Sequence, residues 1–109
     1  MTWTRTELDS LFKTLPAPVR YQVFEARPTP PFVLWRFTDS NDLYADNENY
    51  EKIRELELVI ASDDPADELR AAAEKLLRDN GFTYSIGFTY LNSERLYQIT
   101  LTTEVIFNG

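Results

Sequence analysis

Tyr97-Gln98-Ile99-Thr100-Leu101-Thr102-Thr103-Glu104-Val105-Ile106-Phe107 decides what kind of fold this chain adopts. Tyr97, Ile99, Leu101, Thr103, Val105 and Phe107 alternate with Gln98, Thr100, Thr102 and Glu104. A period of two over such a run marks a long strand with one buried and one wet face. Upstream, Leu91-Asn92-Ser93-Glu94-Arg95 holds a turn, and Phe82, Tyr84, Ile86 and Phe88 alternate with Thr83, Ser85, Gly87 and Thr89. Together these predict an antiparallel hairpin.

The segment before the hairpin predicts a helix. Asp64 is an N-cap, Pro65 suits the first turn and Asp67 favours the positive end of the helix dipole. Leu69, Ala72, Ala73, Leu76 and Leu77 form an apolar stripe, and Asn80-Gly81 supplies a stop. Arg70–Glu74, Glu74–Arg78 and Lys75–Asp79 are opposite charges four residues apart on the wet faces.

A second helix is predicted over 4–15. Thr4 with Glu7 matches a capping box, Leu8, Leu11, Phe12 and Leu15 lie on one face, and Pro16 and Pro18 end it. Val19 to Glu25 reads as a half-buried strand, Arg27 to Pro31 as a stiff connection, and Phe32 to Phe37 as a buried strand. Residues 38–51 read as a long acidic loop, after which Lys52 to Ile60 resumes strand character with Leu56, Leu58 and Ile60 on one side; helix is the competing reading there, since Glu and Leu are good helix formers. The predicted order is therefore α-β-β-β-α-β-β. Clustered strands point to an α+β fold, a mainly antiparallel sheet packed against two helices. The expected organisation is one domain over residues 1–109, because 109 residues suffice for a single core.

Composition narrows the chemistry. A formal net charge of −7 with scattered basic residues argues against direct nucleic-acid binding. The chain has no cysteine and no histidine, so disulfides, thiolate metal sites, a Cys nucleophile and a Ser-His-Asp triad are all unavailable. Its glycines are Gly81, Gly87 and Gly109, which build no phosphate-cradling loop. Neither a signal peptide nor a membrane span is visible, and the expectation is a cytoplasmic protein without cofactor that is not an enzyme.

The acidic stretch from Asp39 to Glu51 does not fit a calcium loop: counting from Asp39, position five is Leu43 and position six Tyr44. A solvated loop is the better reading. Glu55 and Glu57 share a strand face, an arrangement usually inert when exposed. Trp3, Trp35, Tyr44, Tyr50 and Tyr90 are candidate interface anchors. Core packing explains Trp35 better, whereas Tyr44 and Tyr50 sit in a polar loop with no obvious core to fill. The expected contact residues are Leu43, Tyr44, Asp46, Asn47 and Tyr50.

A resemblance adds to this reading. The pieces are Pro30-Pro31-Phe32-Val33-Leu34-Trp35, Tyr44-Ala45-Asp46-Asn47 with Tyr50, Leu56-Glu57-Leu58, Asn80-Gly81-Phe82, Tyr90-Leu91 and Glu94-Arg95-Leu96-Tyr97-Gln98. Together, across residues 19–107, they resemble the tail-terminator or tail-completion proteins of long-tailed bacteriophages and of prophages in Gram-positive bacteria. The resemblance implies a sheet flanked by helices and a ring, often of six copies, on the head-proximal end of the tail tube. Such a ring caps tube growth and offers a docking surface to the head connector. The implied partners are further copies of the chain, the tail tube protein and the connector protein. The implied location is the host cytoplasm during assembly, then the neck of the virion tail. The chain departs from the pattern at Val59-Ile60-Ala61, where relatives often carry a Tyr-Thr pair, which bears on the subfamily. An acidic inhibitor or immunity-type protein that binds one basic partner is the alternative from another class.

Overall fold

The computed structural model describes residues 2–22, 29–38, 52–64, 67–93 and 95–107. Helix α1 (Arg5–Phe12) and strands β1 (Val19–Tyr21), β2 (Phe32–Phe37) and β3 (Lys52–Ser62) precede helix α2 (Asp67–Asp79). Strands β4 (Tyr84–Leu91) and β5 (Leu96–Phe107) follow it. The fold is α+β in the order α-β-β-β-α-β-β, with the strands in one sheet ordered β1-β2-β3-β5-β4. β1 runs parallel to β2, and every other neighbouring pair is antiparallel.

α1 starts where the sequence places it. The Thr4 hydroxyl accepts from the Glu7 amide, and the Glu7 carboxylate accepts from the Thr4 amide, completing the capping box. The helix stops at Phe12, three residues short of expectation, because Pro16 has no N–H to offer the Phe12 carbonyl. That carbonyl accepts from the Leu15 amide instead, in a tighter turn. Leu15 is still buried, outside the helix. β1 is also shorter than expected: Gln22 follows it with φ of 69°, and residues 23–25 lie outside the described residues.

α2 ends in a Schellman motif. Gly81 takes φ of 81°, its amide donates to the Arg78 carbonyl at 3.1 Å, and the Phe82 amide donates to the Leu77 carbonyl at 2.9 Å. Pro65, expected as the first helical residue, lies outside the described residues, and Asp64, the expected N-cap, is described. Asp64 itself exchanges hydrogen bonds with the Ser62 hydroxyl.

The sheet has two unlike faces. Residues paired across neighbouring strands share a face, so the registers sort the side chains. Val33, Trp35, Leu56, Leu58, Ile60, Ile99, Leu101 and Val105 point to the helices and are essentially fully buried. They pack with Leu8 and Phe12 of α1 and with Leu69, Ala73 and Leu77 of α2. Each such burial stabilises by about 1.5–3 kcal/mol before the entropy of ordering is counted. Phe32 to Phe37, expected as a buried strand, is buried on this face alone, and Leu34 on the other side is half-exposed. Trp35 lies edge-on to Phe12 at 5.1 Å and donates from its indole nitrogen to the Asp9 carboxylate at 3.0 Å. That hydrogen bond satisfies the one polar atom on an otherwise buried ring.

Candidate interface at the sheet edges

Leu43, Tyr44, Asp46, Asn47 and Tyr50, the contact residues expected from sequence, lie outside the described residues. The strands that flank them are described. Thr38 closes β2 against β3, its amide donating to the Glu55 carbonyl at 2.9 Å and its hydroxyl to the Glu55 carboxylate at 2.6 Å. At this end of the sheet the Arg54 guanidinium lies over the Phe37 ring at 4.2 Å. On the opposite face Ile53 is paired with Ile106, 62% and 37% exposed respectively. The base of the 38–51 segment therefore carries an accessible apolar pair.

The open face is largely polar. Glu57 binds Arg36 at 2.7 Å, and Glu55 stands directly opposite Glu104. An exposed pair such as Arg36–Glu57 contributes only about 0–1 kcal/mol, and like charges facing each other cost a similar amount. Glu55 and Glu57 thus sit on a wet face, as the alternation requires, each with a hydrogen-bonded partner rather than aimed at a common point.

The two edges of the sheet differ sharply. β1 is three residues long, follows Pro18 and carries the exposed charge of Arg20, features that blunt an edge. β4 is eight residues long, Tyr84-Ser85-Ile86-Gly87-Phe88-Thr89-Tyr90-Leu91, with no charge and no proline. Ile86, Phe88 and Tyr90 are on the helix side of the sheet, opposite Leu101, Ile99 and Tyr97, yet α2 does not cover them. They are 47%, 56% and 43% exposed. Phe88 and Tyr90 both lean on Tyr97, at 5.6 and 4.8 Å between ring centres. Tyr84, at the start of the strand, is tied to α2 through its hydroxyl, which donates to Glu74 at 2.7 Å and accepts from Arg78 at 3.3 Å. Among the described residues the result is an exposed apolar ladder along the outer strand of the sheet.

Tyr90 is among the anchors expected from the sequence, whereas Ile86 and Phe88 are not. Their alternation predicts a hairpin, and a hairpin pattern does not say whether the covering helix reaches its outer strand. Trp3, another candidate anchor, belongs to the core: it is 8% exposed, its ring lies tilted against Phe82 at 5.3 Å between centres, and its amide donates to the Ile106 carbonyl.

The Asp9 carboxyl titrates below an ordinary carboxylate. Burial pushes its carboxyl up, but hydrogen bonds from Lys13 and Trp35 and the charges of Lys13 and Arg5 outweigh this and hold it below the ordinary carboxylate range. These contacts anchor α1 to β2. Between the helices a shallow cleft is lined by Leu11, Leu15, Ala72, Leu76 and Asn80. Among the described residues no group of three or more Asp and Glu side chains is placed to hold a metal ion, and no helix is long and apolar enough to cross a membrane. Compared with known families, curated proteins and solved structures, the chain matches none.

Proposed function

We propose that this chain is a structural tail protein of a long-tailed phage or prophage. In this reading it assembles head to tail as a ring that caps the tail tube and joins it to the head connector. The observation that carries the reading is the β4 edge, a long, charge-free strand with uncovered Ile86, Phe88 and Tyr90. Soluble domains usually protect such an edge, so its retention fits a protein whose working state is an assembly. A ring needs two unlike patches on each subunit. The sheet has two unlike edges, and the accessible Ile53–Ile106 pair lies at the base of the 38–51 segment. The sequence pieces that resemble tail-terminator proteins support the same reading.

The test is a Tyr44→Ala, Tyr50→Ala double variant with native mass measured in the presence of tail tubes. Loss of the ring with an unchanged unfolding midpoint is expected. Normal ring assembly by the variant would remove the 38–51 segment from the interface.

The acidic-inhibitor reading draws on Glu55, Glu57 and Glu104, which share the open face. It requires a tight one-to-one complex with a basic protein, and a toxin gene beside this one would favour it over tail genes.

A further inference from the structure

We infer that the β4 edge is closed, away from the tail, by a second copy of the same chain. The two β4 strands pair antiparallel about a two-fold axis, joining two five-stranded sheets into one. This rests on the reading of β4 as a contact edge and names its partner.

Three features select a second copy. First, β4 is self-complementary. A two-fold axis perpendicular to an antiparallel strand pair brings a residue opposite its own counterpart. With Gly87 facing the second copy's Gly87, Ile86 meets Phe88, Tyr84 meets Tyr90 and Ser85 meets Thr89. Ile86 and Phe88 then face each other across the seam, as do Tyr84 and Tyr90, and the hydroxyls of Ser85 and Thr89 face each other, while Leu91 at the end of the strand falls opposite Thr83. Centring the axis on Phe88 would set Gly87 against Thr89 and Ser85 against Leu91, a poorer match on the open face. Second, the strand is neutral in a chain of net charge −7. Two copies repel over most of their surfaces and least along this strand. Third, the other edge, β1, carries the devices that discourage pairing and β4 carries none. Because the pairing is symmetric, both helix layers lie on the same face of the joined sheet, so the uncovered ladders of Ile86, Phe88 and Tyr90 meet each other.

Self-pairing has a consequence for assembly. A two-fold contact closes on itself and cannot propagate, so it would hold the subunit in a form that does not polymerise until a tube end competes for the edge.

The chain's lack of cysteine makes the test direct. A Cβ added at Gly87 meets nothing within 4 Å, so Gly87→Cys can be introduced without disturbing the subunit. Full-length G87C, oxidised at micromolar to sub-millimolar concentration, is expected to form a disulfide dimer. S85C alone is not expected to do so, whereas a mixture of S85C and T89C is. Phe88→Lys, placed on an already exposed side chain, should weaken dimerisation about tenfold or more in native-mass titrations and suppress the G87C disulfide. Failure of G87C to cross-link, or cross-linking that F88K leaves unchanged, overturns the inference. Rings seen by native mass without a G87C disulfide would overturn it while leaving the tail reading intact. A G87C disulfide together with a non-covalent dimer of the parent chain that never yields to larger assemblies on tail tubes would uphold it and sink the tail reading instead.

Discussion

Gly81 and Gly87 should respond to the same substitution with opposite signs. Gly81 holds φ of 81° at the end of α2, and a Cβ there meets no atom within 4 Å. The cost of Gly81→Ala is therefore conformational and not a clash. A left-handed alanine costs about 1–2 kcal/mol, offset in part by the roughly 0.4–1 kcal/mol gained when the unfolded chain loses freedom. The net expectation is a destabilisation of about 1 kcal/mol. Gly87 lies in β4 at ordinary strand angles and also has open space at Cβ. Gly87→Ala should keep the unfolded-state gain alone, about 0.4–1 kcal/mol of added stability. The two variants should thus differ by about 1.5 kcal/mol. Urea unfolding at low protein concentration, where association does not contribute, reads this as midpoints moving in opposite directions at constant slope. Thermal midpoints should separate by roughly 6–8 °C. Equal shifts in the two variants would mean that Gly81 is not held left-handed and that the Schellman stop is misassigned.

The Asp9 contact gives a pH signature. Its folded-state carboxyl titrates below the unfolded value of about 3.9, so its contribution to stability is full above that value and is lost as pH falls through the folded one. Unfolding midpoints measured from neutral pH downward should decline less steeply through that acidic window in Asp9→Asn than in the parent, and identical profiles would contradict the assignment. Asp9→Ala should also cost about 1–3 kcal/mol at neutral pH, because the Trp35 indole N–H loses its acceptor. Glu104→Lys replaces a like-charge pair with Glu55 by an opposite one and should raise stability by about 0.5 kcal/mol in low salt, with the gain fading as salt is added.

Much of the fold can be read locally because local rules dominate each piece. The Thr4–Glu7 box, the Asn80-Gly81 stop and the period-two run of β5 each depend on neighbours in sequence. The errors arise where a distant or missing group decides. α1 ends early because a proline four residues beyond Phe12 removes a donor, and the apolar stripe continues to Leu15 without the helix. The parallel partnership of β1 and β2 and the strand order depend on which edges meet, and alternation within a strand does not encode that. The same limit explains the site. Tyr44 and Tyr50 stand out because they are aromatic in a polar stretch. Ile86 and Phe88 look like core, and their exposure follows only from where α2 lies on the sheet.

The strand order has a consequence for how the protein is made. β5 follows every other strand in sequence, yet it lies between β3 and β4. During synthesis β3 must wait with one long side open, Leu56, Leu58 and Ile60 along it, until Ser62 finds Tyr97 and Lys52 finds Phe107. A chain cut short before β5 therefore loses the middle of its sheet and not its margin. What remains is one chain with a three-stranded sheet and an orphaned β4, two sticky edges that lack the strand between them. Cellular quality control should clear any truncated product quickly, and full-length β5 acts as the checkpoint that closes the sheet.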